Sequence, residues 1–425
     1  MDILKKTIRI NYAVWCFLCI SILFSQSEFS FKNISVKDGL SESTVKVILE
    51  DHNGFLYFGT ENGLDIYDGY EFINYHMDAF DDASILGNTV SSLYEDSNGM
   101  IWIGTELGVS KFDPLSNVFS RPIILDNIIK PNQGNPIWSP EPINIVDDKN
   151  GDLWFNVEKG YCFHYSDVLG LKILGFKNNG IDSSHPFNRN NLEITALFKD
   201  KNNTVWFGTR NLKQSQDSKK ERIYDYGLYY TMDGINQIKP FIMNGSKFDQ
   251  SVSDIEQGSN NTVWIGTKDG LIELVDVRTG SVNIFKKRNN KNSIVSNNIN
   301  DLEWDNIREK LWIATEDGIS CYIPEKKYFT NIQVGPFENS IIENNVKELL
   351  VAERSNKIWY TTENYSGLNC LYFQDEADGS QQDTLVKHFE HNPIDNSSIA
   401  DNNINAFIED KSGHIWIGTG QNGIS

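Results

Sequence analysis

At 425 residues the chain exceeds one ordinary domain unless its fold is modular. Aromatic residues make up 12% and charged residues 23%, a core-forming composition that excludes a disordered chain. The formal net charge of -20 repels phosphate backbones and argues against nucleic acid as a partner of this segment.

Lys5, Lys6 and Arg9 precede an apolar run over residues 13–24. Twelve residues fall short of the roughly 20 that span a bilayer. Residues 1–25 therefore read as a signal peptide, cleaved near Ser25 or Gln26, with an uncleaved anchor as the other reading. Either way the remainder is expected to be exported. Cys16 and Cys19 lie in this leader. Cys162, Cys321 and Cys370 match no zinc site or disulfide framework, so buried thiols are expected.

From residue 45 onward the chain repeats itself. "STVKVILEDHNG" leads into "FLYFGTENGLDIYDG", and "NTVSSLYEDSNG" into "MIWIGTELGVSKFDP". Then come "DLWFNVEKGYCFHYS", "TVWFGTR", "TVWIGTKDGLIELVD", "KLWIATEDGISCYIP", "KIWYTTENYSGLNCLYF" and "HIWIGTGQNGIS". The aromatic anchors are Tyr57, Trp102, Trp154, Trp206, Trp264, Trp312, Trp359 and Trp416, at spacings of 45 to 58 residues. In each unit an apolar strand meets Asp-x-x-Gly, where Asp or Asn favours turn entry and Gly supplies positive φ. The anchor strand follows, reading apolar-Trp-apolar-Gly-Thr. A second turn ends in Gly63, Gly108, Gly160, Gly270 or Gly318. A third strand such as "LIELVD" and a looser fourth such as "VNIFKK" complete the unit.

Period-two alternation, β-branched residues and turn glycines predict antiparallel strands and no long helix. Four strands in about fifty residues make one propeller blade. The fold class is therefore all-β, a β-propeller of four-stranded antiparallel blades with the anchors between neighbours. An extended β-solenoid is the structural rival. The N-terminal "FSFKNISVKDGLSES" resembles a fourth strand and predicts ring closure by pairing with the third strand of a later blade. A seven-bladed ring over residues 28–400 is expected. Residues 401–425 are then expected to start an eighth blade, the opening of a truncated second propeller. An eight-bladed ring missing its last strands is the alternative.

The unit V-x-x-L-x-x-D-x-x-G-x-I-W-I-G-T-x-x-G-L-x-x-Y/F-D resembles the two-component regulator propeller repeat over about residues 28–425. Asn156-Val157 in the third unit, an insertion in the fourth and "WYTTENYSG" in the seventh depart from it. The resemblance implies the periplasmic sensor region of a hybrid two-component histidine kinase, Bacteroidetes-type. It also implies a longer protein with a second propeller, a β-sandwich, a membrane helix and a kinase output, and a homodimer.

Strand order places the loop entering strand one and the second turn on one face of the ring. That face gathers the long segments 126–142, with Trp138, and 210–226. It also gathers the position four after each anchor, filled by Glu61, Glu106, Glu158, Glu316 and Glu363, with Arg210 and Lys268 in blades four and five. A glycan or oligosaccharide is the expected ligand. Carboxylates and Arg would bond its hydroxyls, and Trp138 or Tyr365 would stack on a ring. The ligand candidates are Trp138, Arg210, Glu61, Glu106, Glu316 and Tyr365; the competing reading is solvated turn residues. Asn88, Asn297, Asn344 and Asn402 are expected to satisfy loop backbone groups. Each acidic turn offers one or two carboxylates, short of a calcium cage, so no metal or cofactor is expected. No catalytic constellation emerges. A structural propeller of a cell-surface secretion component and a propeller lyase or hydrolase stay open as other functions.

Overall fold

In the computed structural model, the described residues are 32–125, 142–157, 161–174, 192–211, 226–232, 238–276, 279–290, 292–324, 328–335, 340–375 and 382–425. The leader and Gly160 lie outside them. Among the described residues no helix is long and apolar enough to cross a membrane.

Seven blades are four-stranded, antiparallel and wound in sequence order. Blade one comprises Val45–Glu50, Leu56–Thr60, Gly63–Tyr67 and Phe72–Tyr75. The inner strands of blades two to seven are Val90–Glu95, Pro142–Asp147, Leu192–Lys199, Val252–Gln257, Ile299–Asp305 and Val346–Ala352. After blade four a hairpin, Ile242–Met243 with Ser246–Lys247, sets Phe241 and Phe248 into the core beside Trp206. The expected class, a propeller of four-stranded antiparallel blades, holds.

The blade count differs from the expectation. The eighth repeat, Ile404–Glu409 and Ile415–Thr419, packs in the same ring between blades seven and one. Its sheet is two-stranded, and where a third strand would run Ser425 pairs with Ile417 through two backbone bonds of 2.9 Å. Where a fourth would run lies the N-terminal segment, with Ile34 and Ile424 exchanging bonds of 2.8 and 2.9 Å. The orphan strand thus closes the ring as expected, but on the eighth repeat. The reason is packing: Ile34, Leu40 and Ile424 share one cluster with Val45, Ile48 and Phe58 of blade one. A seven-bladed ring would leave that cluster without its far wall. Within these residues the division at 400 and 401 is therefore replaced by one eight-bladed ring.

The junction of blades eight and one reuses the devices of the other junctions. The glycine of Gly-Thr lets the next inner strand approach closely. A Cβ on Gly59 would lie 2.6 Å from Val90, one on Gly208 2.5 Å from Val252, and one on Gly418 2.7 Å from Val45. A bulge near the start of nearly every inner strand turns one side chain toward the next blade's first carbonyl. Ser91 donates to Pro142 at 2.8 Å, Thr195 to Val252 at 2.6 Å, Asn300 to Val346 at 2.7 Å and Asn405 to Val45 at 2.9 Å. On the opposite face, the His52 amide donates to Glu95 and the Lys411 amide to Glu50, both at 2.9 Å.

Each anchor ring lies between blades, as expected. Trp154 meets Phe207 at 5.2 Å, Trp264 meets Tyr322 at 5.2 Å and Trp416 meets Tyr67 at 5.7 Å. The Asp of the first turn does more than enter a turn. Asp200 accepts the Asn202 and Thr204 amides at 2.8 and 2.9 Å with one oxygen, and the Trp206 indole N–H at 3.0 Å with the other. Asp96, Asp148 and Asp410 hold their tryptophans in the same way, and Asp51 accepts from the Tyr57 hydroxyl. Gly258 replaces this Asp in blade five, and the Trp264 indole N–H has no hydrogen-bond partner there. The three later cysteines are buried free thiols.

Candidate functional site

The Gly-Thr threonine closes the second turn. Thr105, Thr267 and Thr315 donate to the carbonyls of Gly108, Gly270 and Gly318 at 3.1, 2.7 and 2.8 Å. These glycines have φ of 142°, 126° and 129°, the left-handed side that a Cβ disfavours. In blade seven the turn is longer. Thr362 reaches the Ser366 hydroxyl instead, and Tyr365 stands at its tip with φ of 53° and 65% exposure.

Beside this turn a cavity of about 290 Å³ opens between blades seven and eight. Lys347, Glu348, Thr361, Glu363, Tyr365 and Asn403 are among the residues that line it. Its volume is near the lower end of the roughly 300–1,000 Å³ range of ligand pockets. The walls are built from both blades. Glu363 accepts from the Asn345 side chain, and Asn402 accepts the Gly367 amide through its carbonyl at 3.2 Å. A positioned carboxylate, amides, hydroxyls and one exposed ring can read a polyhydroxylated ligand.

Of the ligand candidates among the described residues, Tyr365 alone lines this cavity. Glu363, named for its position after the anchor, joins it. Glu106 serves as a cap, accepting the Asn88 and Thr89 amides at 3.0 and 2.8 Å. Glu61 is exposed and lies 3.8 Å from Lys46. Glu316 and Arg210 are exposed in blades six and four. Trp138, Glu158 and most of the 126–142 and 210–226 segments lie outside the described residues. The four asparagines act on the backbone as expected. Asn88, Asn297, Asn344 and Asn402 accept the amides of Met77, Lys287, Val334 and His391 at 2.7, 2.6, 3.1 and 2.6 Å.

A second feature was not anticipated. The inner strands of blades five to seven carry Asp254, Glu256, Asp301, Glu303 and Glu348. Asp254 accepts the Leu302 amide at 3.0 Å, and Asp301 the Leu349 amide at 2.7 Å, each in the next blade. By surface area these residues are half-buried, and Glu348 is exposed. The surrounding ring nonetheless hems them in, because inner strands line a narrow channel. Burial, reinforced by the neighbouring carboxylates, pushes Glu256 up to about 9 and Glu303 up to about 8. Burial also raises Asp254 and Glu348, and raises Asp301 well above the usual range. The repeat-equivalent carboxylates in "VSDIEQ", "INDLEWD" and "VKELL" are the signal that could have found them.

The Two component regulator propeller family matches residues 39–62, 84–106, 188–211 and 398–421. Histidine kinase P4 of Formosa agariphila is 40% identical over 72 residues, which are 17% of this chain and 5% of that protein. Among solved structures, the extracellular domain assigned to the hybrid two component system BT3049 of B. thetaiotaomicron is 19% identical, with a TM-score of 0.46. That match covers 93% of this chain and 53% of the other. A streptogramin B lyase is 13% identical with a TM-score of 0.44, covering 91% and 94%. The chain thus spans about half the length of the BT3049 domain, and its matched stretch is a small part of the kinase. Four of the eight repeats, including the first and the eighth, thus match the Two component regulator propeller family.

Proposed function

We propose that this propeller is the extracytoplasmic sensing module of a two-component signal transduction protein. Its ligand is a glycan or oligosaccharide, and occupancy is passed to a histidine kinase output. The observation that carries the reading is the polar cavity between blades seven and eight with Tyr365 at its rim. A pyranose presents hydroxyls to Glu363, Asn403 and Thr361 and an apolar face to the tyrosine ring, which holds sugars by stacking. The family match and the stretch shared with a histidine kinase support the signalling role, and a periplasmic location follows from it.

Thermal-shift screening against an oligosaccharide library tests this. A ligand at 100 times its Kd adds about 2.7 kcal/mol. For the roughly 320 described residues at about 2.1 cal/mol/K each, that raises Tm by about 4 °C. A flat response across neutral, acidic and sulfated glycans would overturn the ligand class.

A further inference from the structure

On the face opposite the cavity, blade three combines three residues found together in no other blade. Asp148 follows the inner strand, Asp152 sits two before the anchor Trp154, and His164 on the third strand pairs with Trp154. The residues facing the other anchors include Ile66, Lys111, Tyr230 and Glu273. His164 Nε2 lies 3.3 Å from Asp152 Oδ2 and 4.0 Å from Asp148 Oδ2. One donor atom from each residue falls within 4.8 Å of the others.

The His164 side chain is 1% exposed, and neither ring nitrogen has a hydrogen-bond partner. A buried ring nitrogen without a hydrogen bond is destabilising. Donor atoms on one zinc ion, at about 2.0–2.1 Å each, sit about 3.3 Å apart. The 3.3 Å between His164 and Asp152 matches that edge, and Asp148, at 4.0 Å from His164, would have to close in. Metal binds the neutral imidazole, and burial of His164 disfavours its charged form. The Trp154 indole donates to Asp148 Oδ2 at 3.2 Å and would orient that ligand from outside. Asp152 is 20% exposed, leaving a path for the ion and a fourth, water-filled position.

We infer that Asp148, Asp152 and His164 bind one zinc-type divalent ion, pinning the first turn of blade three to its third strand. Imidazole together with carboxylates favours zinc over magnesium or calcium.

The test is titration of the chelator-stripped protein with Zn2+ against a chromophoric competitor, with Mg2+ and Ca2+ as controls. The parent is expected to take up one equivalent more than Asp152→Asn and His164→Gln. Its Tm should rise by about 4 °C at saturating zinc, a rise absent in both variants. Co2+ should give a visible d–d band in the parent only. Asp152→Asn, the most exposed of the three positions, keeps the test decisive if His164→Gln fails to fold. Equal uptake by parent and Asp152→Asn, or no uptake by the parent at 100 µM in order of magnitude, would overturn the site.

Discussion

Replacing Asp200 by Ala removes one carboxylate from three donors. Asp200 is 3% exposed, Thr204 1% and Trp206 0%, so water cannot take over at the Thr204 amide or the indole. Hydrogen bonds to a charged group contribute about 1.5–3 kcal/mol each. Two such bonds, allowing for non-additivity, set the loss at about 3–5 kcal/mol. For the roughly 320 described residues that is a Tm fall of about 4–7 °C, read by differential scanning fluorimetry and checked by the urea midpoint at constant slope. Asp200→Asn keeps an acceptor and should cost about half as much. Blade five, where Gly258 already stands at this position, shows that one missing hook is tolerated without loss of the fold. An Asp200→Ala protein melting within about 1 °C of its parent would refute the reasoning.

Ring closure on the eighth repeat makes its own prediction. Ile34→Ala should cost about 2–5 kcal/mol, because Ile34 is 6% exposed and packs against Ile424 and blade one. It should also speed amide exchange in residues 404–419; unchanged exchange there would restore a separate eighth repeat. The channel carboxylates predict a pH dependence. Their native values lie above the ordinary 4.5 for Glu256 and Glu303, so the native state holds more protons than the unfolded chain. Their contribution is full below 4.5 and is lost as pH rises toward 8 to 9. Melting temperature should fall across that window, and Glu303→Gln should flatten the fall and raise Tm at the alkaline end; a parent that gains stability on going alkaline would contradict this.

The fold was legible because one unit is written eight times. Each repeat shows the same turn residues and the same anchor, and a sheet that cannot cover its own faces must ring. The blade count was not legible. Whether "FSFKNIS" pairs with repeat seven or eight depends on how Ile34 and Ile424 pack, and local pattern does not carry that distance. The Asp-x-x-Gly motif was read as turn chemistry alone. Its second oxygen, which holds the indole, shows only once the anchor folds back six residues later. The candidate site was mostly illegible. Position-for-position logic gathered Glu61, Glu106 and Glu316 as equals. The structure gives Glu106 a capping role and leaves Glu61 and Glu316 exposed on blades one and six, outside the cavity lining. Tyr365 was named from sequence as a stacking ring; that the longer turn of blade seven puts it at an exposed tip shows only in the structure.

The central claim is that the cavity between blades seven and eight reads a sugar. Isothermal titration of the best screening ligand into the parent and into Tyr365→Ala tests it most directly. Tyr365 is exposed and at a turn tip, so its loss should leave the melting temperature unchanged. Loss of a stacking ring is expected to weaken binding by about 10-fold or more, since roughly 1.4 kcal/mol is tenfold. Equal affinity in the two proteins would place the ligand elsewhere on the ring and contradict the account.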